Sequence, residues 1–202
     1  AQMGQTSTAG NIANATLNVT GGIVTIGTGS GTAITMASAN TGTTANGAIN
    51  LTGGTTTVTG SIVRTGGAGT TSAVVTLNGG TLDMSGNSIG TGVQNIAFAA
   101  QSGALSGLAE LNGGGVLDKT TAGILSLGNG NAYTGGTTVS AGTLLASNTT
   151  GSATGSGAVS TLAGSVLGGT GIIAPGSGNA VTVDGTLQIG GASPVAGQTL
   201  TI

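Results

Sequence analysis

Cysteine, histidine and tryptophan are missing from this chain, and the only aromatic residues are Phe98 and Tyr133. Without Cys no disulfide can staple the fold, and without Cys or His the side chains that transition metals prefer are gone. A hydroxyl nucleophile would also lack its usual base, leaving only Lys119 or a lone carboxylate for that role. Charge is nearly as scarce, at 3% of residues: Arg64, Lys119, Asp83, Glu110, Asp118 and Asp184. Two isolated cations make no basic patch, so no nucleic-acid partner is expected. No apolar run approaches the roughly 18–20 residues that cross a bilayer as a helix, so no membrane-spanning segment is expected. The chain opens Ala1-Gln2-Met3 with no basic leader, which fits a mature form rather than one with a signal peptide.

What is abundant is Gly, at 44 of 202 residues, together with Thr, Val and Ile, and mean hydropathy is +0.40. Disordered chains are poor in β-branched residues and low in hydrophobicity, so order is favoured. Interior Gly costs a helix about 1 kcal/mol per position relative to Ala, so helices are disfavoured. A core without large aromatics must be thin, lined by Val, Ile, Leu and Ala, with Gly where the backbone bends. Stacked coils of a β-solenoid meet those conditions.

One phrase returns along the chain: an apolar strand, a corner with Gly, then an outgoing strand. It occurs at Leu17–Val24, Ile49–Gly54, Val75–Leu82, Leu111–Gly114, Val139–Leu144, Leu162–Val166 and Val181–Leu187. Taking corners at Gly22, Gly54, Gly80, Gly114, Gly142, Gly164 and Gly185 gives steps of 32, 26, 34, 28, 22 and 21 residues. Such steps suit a solenoid, and their unevenness disfavours a propeller, whose blades must close a ring. At about 4.8 Å between stacked strands, roughly seven to nine coils make a rod on the order of 40 Å long. Asn46-Gly47, Asn78-Gly79 and Asn112-Gly113 are expected at turns because both residue types accept positive φ. Pro175 and Pro194 are expected at corners. Residues 92–111 are rich in Ala and Leu and would allow a short helix, but the alternation Asn95-Ile96-Ala97-Phe98-Ala99 favours a strand. No break in composition marks a boundary, so residues 1–202 are taken as one domain.

The clearest unit is Leu117 to Ala146, with Leu117, Lys119, Gly123, Leu125, Leu127, Gly128, Asn131, Tyr133, the run Thr134-Gly135-Gly136-Thr137, Val139 and Ala141-Gly142-Thr143-Leu144. These residues resemble the autotransporter-associated β-strand repeat of bacterial passenger domains and long surface proteins. The stretch that follows is similar to the family's usual continuation, so the resemblance covers 117–202. It implies an all-β fold, a right-handed parallel β-helix (β-solenoid), in a secreted or cell-surface bacterial protein.

Chemistry is hard to place. Glu110 and Asp118 flank a Gly corner and are the best pair for acid-base work, but solvated corner residues are the simpler expectation. Asp does not recur after Gly-Gly, which disfavours a calcium roll. Gly27-Thr28-Gly29-Ser30-Gly31 lacks the lysine and helix of a phosphate loop. Asn-x-Thr at Asn14, Asn18, Asn50 and Asn148 arises freely in a chain of this composition. No catalytic, cofactor-binding or metal-ligating residue is assigned, and no cofactor or enzymatic activity is expected. The expected function is a non-enzymatic extracellular stalk, fibre or adhesin segment. Its terminal coils would pair with another copy, giving a filament, or with more of a longer surface protein. The alternative is a binding module whose Thr ranks, as in Thr55-Thr56-Thr57-Val58-Thr59, take ice or a glycan. With so few ionisable groups, stability should vary little with pH.

Overall fold

The computed structural model describes residues 1–6, 10–29, 31–192 and 197–202. Fifteen strands follow one another: β1 (Gln2–Thr6), β2 (Ile12–Ile26), β3 (Thr32–Ala39), β4 (Thr44–Val58), β5 (Ser61–Arg64), β6 (Thr70–Ile89), β7 (Ala97–Leu111), β8 (Leu117–Lys119), β9 (Ile124–Gly128), β10 (Thr137–Val139), β11 (Thr143–Ala146), β12 (Val159–Thr161), β13 (Val166–Gly169), β14 (Val181–Val183) and β15 (Thr186–Ile189). There is no helix among the described residues, and every pairing between two of these strands is parallel, with one isolated antiparallel bridge from Gly169 to Gly190. The fold is therefore a parallel β-solenoid, and residues 97–111 form a strand as their alternation favours.

Register follows the apolar pattern. Leu17, Ile49, Val75 and Phe98 stack in one column, and Leu125, Leu144, Leu167 and Leu187 in another. Successive side chains in a strand point to opposite faces, so each column carries one inward residue per turn into a continuous thin core. The offset between stacked residues falls from 32 (Leu17 to Ile49) and 26 (Ile49 to Val75) to between 19 and 24 in later turns. Strands β4, β6, β7, β9, β11 and β13 are paired on both edges, whereas β2 and β15 end the ladder with one partner each. The rod thus has about six turns between its two ends, rather than the seven to nine expected.

Two expectations about corners are corrected. Gly114 does not stack under Gly80: a Cβ placed on Gly103 would lie 2.2 Å from the Gly80 carbonyl oxygen, and one on Gly135 would lie 2.3 Å from that of Gly114. Gly103 thus follows Gly80, and Gly142 follows Gly123, while Gly103 is itself in register with Leu125 and Gly114 belongs to another corner. Asn46-Gly47 is not a turn either. It lies inside β4, in register with Asn14-Ala15, where a Cβ on Gly47 would sit 3.2 Å from the Met36 Cβ. Gly is present there for close packing. Asn78-Gly79 also lies within β6, at its bend, with Gly79 at φ 108°. Pro175 lies outside the strands as expected, and Pro194 lies outside the described residues.

Candidate functional site

The leucines and the valine that define the unit at 117–146 turn toward the interior. Leu117, Leu125, Leu127, Val139 and Leu144 are fully buried. Tyr133 is fully buried as well, and its hydroxyl lies 2.6 Å from Thr137 Oγ1. Burial of that ring pushes the phenol's pKa well above its ordinary value, with the Thr137 contact opposing it. Two residues earlier, Asn131 is buried and ties three segments together. Its Oδ1 accepts from the Leu108 N–H at 2.9 Å, and its Nδ2 donates to the Ala153 carbonyl at 2.7 Å. Each of these bonds satisfies a backbone group that the corner leaves unpaired.

Lys119 stands in a column with Val139, Thr161 and Val183, an inward position that normally takes an apolar residue. Its side chain is buried, and the ammonium donates to the carbonyls of Thr121 and Ala141 and to Thr121 Oγ1. Desolvation lowers its pKa from the ordinary lysine value.

Glu110 and Asp118 are not joined in a pair. Each reaches instead to a later turn. Asp118 accepts from Ser140 Oγ at 2.7 Å, and Glu110 accepts from Thr134 Oγ1 at 2.7 Å and from the backbone N–H groups of Thr134 and Leu111. For Glu110, burial acts to raise the pKa, but the Thr134 hydroxyl and the N–H groups of Leu111, Thr134 and Gly114 outweigh it and hold the pKa below its ordinary 4.5. A purely solvated Glu110 is therefore corrected: it is a clamp between turns. Arg64 donates through Nη1 to the Thr71 carbonyl and hydroxyl, Asp83 accepts from the Ser85 N–H, and Asp184 is exposed. Among the described residues no three Asp, Glu, His or Cys side chains lie close enough to hold a metal ion.

The Thr ranks are broken. Thr55 lies between Ile23 and Thr81, with Ala104 next, and Thr57 lies between Thr25 and Asp83. Thr56 points inward and is buried. A shallow groove of about 350 Å³ is lined by Gly29, Thr59, Ser85, Gly86 and Asn87, with no charged side chain among the described residues that line it.

The rod's ends differ from its middle. Leu125, Leu144 and Leu167 are fully buried, whereas Leu187, the last residue of the same column, is 46% exposed. Ile189, two residues further along β15, and Ile202 are exposed as well. At the other end Met3, Leu17, Val24 and Ile26 pack on the core but remain only partly covered. One strand edge of β2 and one of β15 carry no ladder partner among the described residues.

Sequence patterning located the inward leucines but not the roles of Asn131, Glu110 or Lys119. Position was the available signal for Lys119: it falls two residues after Leu117, on the same face of a strand. Asn131 follows a Gly directly after an apolar strand, a placement suited to an amide that caps a corner.

No curated protein and no solved structure shows significant similarity to the chain. Residues 117–146 match the family model described as the passenger-associated-transport-repeat, so this β-solenoid carries a repeat of the autotransporter passenger type.

Proposed function

We propose that the chain is a non-enzymatic structural segment of an autotransporter-passenger-like protein, exported to the cell surface or beyond, in which the solenoid serves as a stalk, fibre or adhesin shaft. The β-solenoid and its passenger-type repeat support that class. The observation that carries the mechanical role is the leucine column, closed at Leu125, Leu144 and Leu167 and open at Leu187. Covering the exposed half of one leucine contributes about 1 kcal/mol, and a further coil would also pair the edge of β15 that has no ladder partner among the described residues. The covering coil comes from a second copy or from more of the same surface protein. In a solution of this chain alone, only a second copy is available, so the first rank of one molecule stacks on the last rank of the next. Such a head-to-tail contact does not close, and it propagates as a filament.

The test compares the intact chain with the double variant Leu187→Lys, Ile189→Lys by sedimentation over a range of concentrations. The expected result is growth of the parent and none of the variant, with similar melting temperatures. A parent that stays a single molecule at every concentration, or a variant that grows as fast, would overturn the end-to-end reading.

A further inference from the structure

Four Asn-Gly steps occur in the chain, at Asn46-Gly47, Asn78-Gly79, Asn112-Gly113 and Asn129-Gly130. This dipeptide modifies itself most readily, because Gly presents no side chain to hinder attack by its own backbone nitrogen on the preceding amide carbon. The structure treats the four very differently. Asn46 lies in the ladder of β4 with Nδ2 donating to Asn14 Oδ1 at 2.8 Å. Asn78 lies in β6, and its Oδ1 accepts from Ser102 Oγ at 2.9 Å. Asn112 is held at both ends: Oδ1 accepts from the Ile96 N–H and Nδ2 donates to the Ile96 carbonyl, each at 2.9 Å. Asn129 has none of these restraints. It is exposed, lies just past the end of β9, adopts a left-handed φ of 47°, and makes no side-chain hydrogen bond among the described residues. Gly130 is exposed and outside any strand.

The structure assigns Asn129-Gly130 as the chain's site of spontaneous deamidation. The Gly130 nitrogen, on losing its proton, bonds to Asn129 Cγ; the C–N bond of the side-chain amide breaks and ammonia leaves, taking up a proton from water. The resulting five-membered imide is opened by water at either carbonyl, giving aspartate or isoaspartate at position 129. No oxidant or reductant enters. The product carries one more negative charge on a chain whose formal net charge is −2, so a single event changes the charge of this nearly neutral surface substantially.

The experiment incubates the intact folded chain in mildly alkaline buffer at body temperature and follows each Asn-Gly peptide by mass spectrometry, with a denatured sample in parallel. Freeing Asn112 requires breaking two hydrogen bonds, so Asn129 should react roughly tenfold or more faster than Asn112 when folded. In the denatured sample the two should react at similar rates. Gly130→Ala should remove the fast reaction at Asn129. The new Cβ would sit 3.2 Å from the Thr150 carbonyl oxygen, which must give by a few tenths of an ångström, and Gly130 is not in the left-handed region, so no backbone strain is added. Equal or reversed folded rates at 129 and 112, the same preference in the denatured chain, or undiminished reaction in Gly130→Ala would each overturn the assignment.

Discussion

The Tyr133 hydroxyl and Thr137 Oγ1 meet 2.6 Å apart with both side chains buried, so each is a main partner of the other in the interior of the rod. Thr137 Oγ1 also has the Thr154 carbonyl at 3.4 Å, an alternative that the phenol lacks. Thr137→Val leaves the phenol buried and unpaired, and should cost about 1–3 kcal/mol. Tyr133→Phe should cost less, and the double variant should be closer to Tyr133→Phe than to the sum of the two. Thermal melting of the three variants checks this by a double-mutant cycle.

Glu110 makes one exception to the expectation that stability is insensitive to pH. Its folded pKa lies below the ordinary 4.5, so the folded state binds fewer protons than the unfolded state between those two values. The stabilisation is present above pH 4.5 and is lost as pH falls through the depressed value. The melting temperature of the parent should therefore exceed that of Glu110→Gln by a constant amount near neutrality, and the gap should narrow on acidification. A gap that is unchanged in strong acid contradicts the clamp.

Lys119 should be chemically silent in the folded chain. Its ammonium is covered by the Thr121 and Ala141 carbonyls in a fully buried side chain, whereas the Ala1 amino group, which donates to the Ala33 carbonyl at 2.7 Å, belongs to an exposed residue. An amine-reactive label followed by peptide mapping should modify Ala1 first and Lys119 only after denaturation. Rapid labelling of Lys119 in the native chain would show that the inward placement is wrong.

Thr161 carries a buried hydroxyl with no hydrogen-bond partner among the described residues, in a column whose neighbouring turns hold Val139 and Val183. An unpaired buried hydroxyl is a net cost, so Thr161→Val should be neutral or stabilising by up to about 1 kcal/mol. A clear loss in melting temperature would reveal a partner for that hydroxyl.

The parts of this fold that were legible in advance are those with a local cause. Leu125 and Leu127 alternate and so share a face, and Gly142, at φ 72°, stands where a corner requires a left-handed residue. Stacking between turns is not local, and the sequence of a single turn does not specify it. The Gly113-Gly114-Gly115 run is more conspicuous than the lone Gly103, yet Gly103 is the residue that continues the Gly80 corner. Asn46-Gly47 has the composition of a hairpin turn, but its extended conformation is set by the strands on either side and by the side chain of Met36. The site residues obey the same division. A lysine or glutamate is ordinarily solvated, so the burial of Lys119 and the clamping by Glu110 emerge only when Ala141 and Thr134 are brought over them by the next turn.

Electron imaging of the purified chain after ageing at high concentration tests the continuation of the ladder most directly. The account predicts unbranched filaments of one rod's width that lengthen with time, with a spacing of about 4.8 Å along the filament axis where strands stack turn upon turn. Compact particles of a single size that never lengthen, or fibres without that axial spacing, would contradict it.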